Sequence, residues 1–387
     1  MSPPGARLRP QTVMQLLPAL ESGGVERSTL EIADALVRAG HRALVVSAGG
    51  RLLPQLLATG AEHVTLDIGR KSLLALREVA RLRALFRREQ VDIVHARSRV
   101  PAWLAVLALR GMPAATRPRL VTTVHGLNSP SRYSAVMTRG ERVICVSDTV
   151  RRHVLQHYPR TDPGKLRVIA RGIDPAAFPA APWSDREARA WAAARHPALL
   201  GDGPLLLLPG RGTRLKGHAD ALHLLARLRE SGTDARLWLP GARAPGREAY
   251  VLELERLAAA LGIADAVAFT APTDAIARAY AASDLVLQLS RKPEAFGRTV
   301  VEALAVGRPV LGWDHGGAGE LLGELQPSGA VTPFDIAALG EAAAGLLARL
   351  PAVATRDVPL VLPYTLHAMQ QATLSVYAEL VDEPRPV

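Results

Sequence analysis

Glu294 and Glu302 stand eight residues apart in "EAFGRTVVEALAVGRPVLG", on either side of a glycine and a predicted helix start. A helix N-terminus favours acids only mildly, through its dipole, so two carboxylates at this spacing call for partners. Gly297 permits a tight turn. With Phe296 just before it, the N–H groups of Arg298, Thr299 and Val300 then open a helix that can cradle a phosphate. A carboxylate does not bind phosphate; it accepts from hydroxyls. Glu302, one turn in, suits a vicinal pair such as a ribose presents, and Glu294 suits a second hydroxylated group. Either glutamate alone would read as a capping or surface residue.

A second stretch supplies the missing charge. In "PGRGTRLKGHADAL", Arg211 and Lys216 lie among Gly210, Gly212 and Gly217, between an apolar run and a helical pattern. Two cations and a helix N-terminus can neutralise a diphosphate without a metal. With the two glutamates they describe a nucleotide-sugar site: cations on the diphosphate, one acid on the ribose, one on the sugar. A third loop, "ESGGVERSTLEIADAL", puts Gly23 and Gly24 between a strand and a helix, where backbone amides can approach a phosphate. No Cys/His cluster has zinc spacing, and no metal ligand set is expected.

These loops need strands to end on. The first half alternates "QTVMQLL", "RALVVS", "EHVTLD", "DIVHA", "LVTTVHG", "RVICVS" and "KLRVIA" with helical patterns at Val25–Ala39, Leu73–Glu89, Ala102–Arg110 and Asp148–Tyr158. Such alternation predicts βαβ units and a parallel sheet. "RGIDPAAFPAAPWSD" interrupts it as a linker. The pattern restarts with "PLLLLPG", "ARLWLPG", "AVAFT", "DLVLQLS", "RPVLGW" and "GAVTPF", with helices expected at Gly217–Glu230, Arg247–Leu261, Ala275–Ala281, Thr299–Val306 and Ile336–Leu350. The fold class is α/β, with two Rossmann-like domains facing across a cleft. Ligands are expected at the carboxyl ends of the strands. Domain bounds are expected at 1–178 and 179–362, followed by a lone helix within 363–387.

"EAFGRTVVE" resembles the paired-glutamate motif of the retaining glycosyltransferases of family four, which have the GT-B fold. "GRGTRLKG" resembles that family's phosphate-binding loop, and "SGGVERSTLEIADALVRAGH" its N-terminal glycine loop and first helix. "VIARGIDPAAF" is similar to its interdomain segment, except that Arg171 stands where an asparagine is usual, so no role is carried onto it. "YTLHAMQQATLSVYAEL" resembles the helix that crosses back to the first domain. The resemblance implies a nucleotide on the second domain and an acceptor on the first. It places Glu294 on the donor sugar, Glu302 on the ribose, and Arg211 and Lys216 on the leaving diphosphate. It also places His125, in "TTVHGLN", beside the donor sugar. The implied activity is transfer of a hexose, with retention, from a UDP- or GDP-sugar to a hydroxyl of a glycan or glycolipid, with no metal or other cofactor. "HARSRVPAW" resembles an acceptor-side segment of lipopolysaccharide core glycosyltransferases, with Arg97 and Arg99 facing acceptor anions.

Composition narrows the partners. The net charge is +11, and the excess lies in residues 1–180, with 27 Lys and Arg against 13 Asp and Glu. That asymmetry suggests an anionic partner. "RKSLLALREVARLRALFRREQ" carries Lys71, Arg77, Arg81, Arg83, Arg87 and Arg88 on a helical pattern, which either covers a sheet or lies on an anionic membrane. With six Tyr and five Phe, little is available for base stacking, so nucleic acid is not an expected partner. An NAD oxidoreductase lacks its GxGxxG here. A nucleotide-sugar epimerase of the same fold requires a different acid/base set. The single cysteine, Cys145, excludes an intramolecular disulfide, and no run reaches 18 apolar residues. The expected location is the cytoplasm, including the cytoplasmic face of the inner membrane.

Overall fold

The computed structural model describes residues 9–21, 23–70, 73–353 and 362–383. It divides into two compact units: Met1–Gly172 with Leu366–Val387, and Ile173–Thr365. The change of unit falls at 172/173, where the sequence predicts 178/179.

Among its described residues the first unit holds seven strands: β1 Thr12–Leu16, β2 Arg42–Ser47, β3 Glu62–Thr65, β4 Ile93–Ala96, β5 Arg119–Val124, β6 Arg142–Cys145 and β7 Leu166–Val168. They pair in the order β3-β2-β1-β4-β5-β6-β7, all parallel. The second holds β8 Leu205–Leu207, β9 Arg236–Pro240, β10 Val267–Thr270, β11 Leu285–Gln288, β12 Val310–Trp313 and β13 Ala330–Val331, in the order β10-β9-β8-β11-β12-β13. These are the thirteen strands the apolar runs predict. Strands β4, β5, β8, β11 and β12 are buried along their whole length, as parallel strands covered on both faces must be. The order reverses between β1 and β4 and between β8 and β11, so each sheet has a crevice outside the carboxyl ends of those strands.

The helix Leu366–Asp382 belongs to the first unit. Met369, Val376, Tyr377 and Leu380 enter that unit's core. Glu379 takes hydrogen bonds from Arg142 at 3.2 Å and Arg167 at 3.0 Å.

Among the described residues, three helices escape the sequence reading. Arg186–Arg195 follows the linker and buries only alanines, Ala188, Ala192 and Ala193, so it lacks the large apolar stripe that reveals a helical period. Asp185 caps it by accepting from the Ala188 N–H at 2.9 Å. Leu53–Ala58 is short. Gly316–Leu325 contains four glycines, each costing about 1 kcal/mol in a helix.

The basic helix runs as a 3-10 turn, Leu73–Leu76, and then Arg77–Arg88, while Lys71 lies outside the described residues. Leu82, Leu85 and Phe86 are buried. Arg81 pairs with Glu78 at 2.9 Å, Arg88 with Glu89 at 2.7 Å, and Arg83 donates to Ala108 O at 3.1 Å. Arg77, Arg81, Arg87 and Arg88 are all exposed, but Arg81 and Arg88 face acids, so the net basic face is smaller than the sequence suggests.

Candidate functional site

In the second unit, β8 runs into the loop that carries Arg211 and Lys216. Gly217, at φ 75°, closes it against β11: a Cβ there would lie 2.0 Å from Leu289 O. Glycine is required at this point, and the helix His218–Glu230 starts directly from it. Buried His218 has its pKa pushed down to about 4, chiefly by burial, so it adds no charge beneath the loop at neutral pH.

Lys216 turns toward the strand end of β11. Its Nζ donates to Glu294 Oε1 at 2.5 Å. Glu294 also accepts from Gln288 Nε2 at 2.9 Å and from the Ser290 hydroxyl. Burial raises the Glu294 pKa, and the Lys216 ammonium is the strongest of the groups that oppose it. Together the Lys216, Ser290 and Gln288 donors outweigh burial and hold the carboxyl below its ordinary range. A carboxylate has about four acceptor positions; the protein fills three, so an ionised Glu294 retains capacity for a ligand hydroxyl. Arg211 is exposed, and among the described residues no carboxylate pairs with it.

The helix Arg298–Ala305 follows Gly297. The Val300 N–H is taken by Gly297 O at 3.0 Å, which corrects the expectation that it points outward. The expected phosphate cradle is therefore narrowed to the helix start at Arg298 and Thr299. Phe296 is buried and packs edge-on against Tyr364, with ring centroids 5.7 Å apart, so its side chain is core rather than ligand surface. Glu302 Oε2 accepts from the Tyr280 hydroxyl at 2.9 Å, and Oε1 from Arg298 Nε at 3.3 Å. Burial, then Glu302, pushes the Tyr280 phenol well up, so it remains a donor. If Glu302 binds a ribose, Glu302→Ala weakens the free nucleoside diphosphate and the donor alike, by about 1.5–3 kcal/mol. Calorimetry measures this, and unchanged affinity removes Glu302 from the site.

Gly316 and Gly317 are the positions the sequence reading missed. Gly317 N–H donates to Glu294 O at 2.7 Å. A Cβ on Gly316 would sit 2.7 Å from Glu294 O, and one on Gly317 2.6 Å from Ala295 O. The glycine-rich helix start is thus pressed against the backbone that carries Glu294. His315 Nε2 donates to Ser290 O at 2.8 Å, which fixes the Ser290 segment as well. The available signal was a glycine pair at a strand's carboxyl end, in "WDHGGAGE".

In the first unit, Gly23 caps the helix Gly24–Arg38 just past β1, and a Cβ on Gly24 would meet nothing within 4 Å. His125 follows β5. A cavity of about 290 Å³ is lined by residues from these loops, including Glu26, Arg97, Arg99, His125 and Asn128. Arg97 is 3% exposed and donates to Gln15 Oε1 at 2.8 Å and to the Ser28 hydroxyl. Burial pushes it down to about 10. Its two terminal nitrogens are held by Gln15 and Ser28, while its buried Nε has no partner among the described residues. Arg99 donates to Ser134 Oγ at 3.3 Å and lies over the Tyr133 ring. Arg171 donates to His125 Nδ1 at 2.5 Å and to Ser28 Oγ at 2.8 Å.

Two parallel doubly wound sheets, with glycine-built loops at their carboxyl ends, define the GT-B class. The first half matches the model of Glycosyltransferase Family 4 over residues 22–177, and the second that of Glycosyl transferases group 1 over 192–349. The chain belongs to the GT-B glycosyltransferases of family-four type. It is 34% identical over 170 residues to a D-inositol 3-phosphate glycosyltransferase of Jonesia denitrificans, an alignment covering 43% of this chain and 39% of that relative. The chain thus spans well under two thirds of that curated relative's length. A glycosyltransferase structure from Rickettsia africae is 26% identical with a TM-score of 0.85, covering 97% of this chain and 100% of that one. Anabaena HepE in complex with UDP and glucose shares the fold, at 21% identity and a TM-score of 0.74 over 95% of this chain and 100% of that one.

Proposed function

We propose that this protein transfers a hexose from a UDP- or GDP-sugar to a hydroxyl of an anionic glycan or glycolipid acceptor, with retention of anomeric configuration. The observation that carries this reading is the Lys216–Glu294 pair. It sets a cation and a hydroxyl-accepting carboxylate 2.5 Å apart on two loops, in the helix that follows one of which stands Glu302. In this reading Lys216, Arg211 and the start of the helix Arg298–Ala305 take the diphosphate, Glu302 the ribose and Glu294 the sugar. The anomeric carbon–phosphate oxygen bond breaks as the acceptor oxygen bonds to the same face, and the acceptor's proton passes to the leaving phosphate.

The UDP named in the HepE complex supports a nucleotide-linked donor, and the phosphate in the Jonesia relative's name supports an acceptor that carries one. Lipopolysaccharide core or another cell-envelope glycan is the proposed setting. Among the described residues, no helix is long and apolar enough to cross a membrane. The exposed Arg77 and Arg87 suit peripheral contact with anionic lipid at the cytoplasmic face.

No metal is assigned a role, because the two cations and the helix start do an ion's work on a diphosphate. Transfer from a panel of nucleoside-diphosphate sugars, followed by NMR of the product anomer, is expected to proceed with retention and to survive EDTA. Inversion overturns the retaining reading. Complete loss in EDTA with recovery on magnesium or manganese overturns the metal-free one.

A further inference from the structure

Arg171 stands where the family resemblance leads one to expect asparagine, and it reaches inward. One arm of its guanidinium meets His125 Nδ1 at 2.5 Å, and the other meets Ser28 Oγ at 2.8 Å, with Met369 Sδ at 3.7 Å. Ser28 also receives Arg97. Every polar hydrogen-bonding group of a guanidinium is a donor. His125 Nδ1 must therefore offer its lone pair, and a neutral imidazole then carries its single proton on Nε2. That Nε2 atom is buried and has no partner among the described residues, although the side chain lines the 290 Å³ cavity.

We infer that Arg171 is a positioning residue that holds His125 as the neutral tautomer protonated on Nε2, so that His125 meets the substrate as a hydrogen-bond donor and not as a general base. The donor role rests on the transferase reading above; the tautomer does not. The surroundings favour a neutral ring: burial, then the charges of Arg171 and Arg97 and neighbouring His95, hold the His125 imidazolium well below its ordinary range. Glu26, lining the same cavity, is the one acid among its lining residues.

The test is long-range proton–nitrogen NMR on the full chain with labelled histidine at neutral pH, with His125→Phe assigning the signal. The wild type is expected to show a bare Nδ1 and a protonated Nε2. Arg171→Met is expected to distribute the proton over both nitrogens, and Arg171→Lys to restore the Nε2 form. In parallel, kcat for transfer is expected to fall roughly 10- to 100-fold in Arg171→Met, as when an imidazole loses the partner that orients it, and to recover in Arg171→Lys. A wild-type spectrum with the proton on Nδ1 overturns the inference and needs no variant to fold. An Arg171→Met spectrum identical to wild type overturns it too. If the wild type transfers no sugar while the Nε2 tautomer is seen, the transferase reading and the donor role fail and the tautomer stands.

Discussion

Glu294→Ala is expected to lower sugar transfer by at least about 10²-fold, the scale on which a mispositioned reacting group costs, while affinity for the free nucleoside diphosphate stays nearly unchanged. The carboxylate's ligand partner, on this reading, is present only in the intact donor. Its removal also releases the Lys216 ammonium, now bonded to it at 2.5 Å, for the diphosphate, so nothing in the change weakens the nucleotide. A transfer assay paired with calorimetry reads both quantities. A wild-type rate ends the assignment, and so does a loss of nucleotide affinity as large as that of Glu302→Ala.

Lys216→Ala is expected to slow transfer by about 10²–10³-fold, as loss of a preorganised charge stabiliser does. It also disturbs Glu294. Without the ammonium, the burial that raises the Glu294 pKa is opposed only by Ser290 and Gln288. The wild-type carboxyl, held below its ordinary range, stays ionised as pH falls; in the variant it takes up a proton at a higher pH. The acid limb of the pH–rate profile should therefore move upward in pH. Because the two side chains touch, the losses in the double variant should not add. An unmoved acid limb with an unchanged rate removes Lys216 from the mechanism.

The apolar runs revealed β4, β5, β8, β11 and β12 most plainly, because parallel strands buried on both faces are continuous in sequence. The glycine turns at Gly23, Gly217 and Gly297 were legible because they lie between an apolar run and a helical pattern in the sequence itself. Long-range pairings were not. Lys216 and Glu294 lie 78 residues apart, and only the parallel register of β8 and β11 brings their loops together. Arg171 read as a departure from a family pattern; that its guanidinium reaches His125, 46 residues away, required the fold. The helix Gly316–Leu325 was hidden because its glycines, unfavourable for a helix, are what allow it to touch the Glu294 backbone.

The membership of Leu366–Asp382 in the first unit makes the second unit an insertion within it. A chain emerging from the ribosome N-terminus first can complete the sheet of Thr12–Val168 early, yet the core that Met369, Val376, Tyr377 and Leu380 close stays open until all of Ile173–Thr365 has been made. The second unit, contiguous in sequence, needs no such wait. The order of synthesis and the order of completion are thus reversed. The part of the molecule made first is finished last, and its unsealed apolar face is the surface most exposed to misassociation while the rest is being translated.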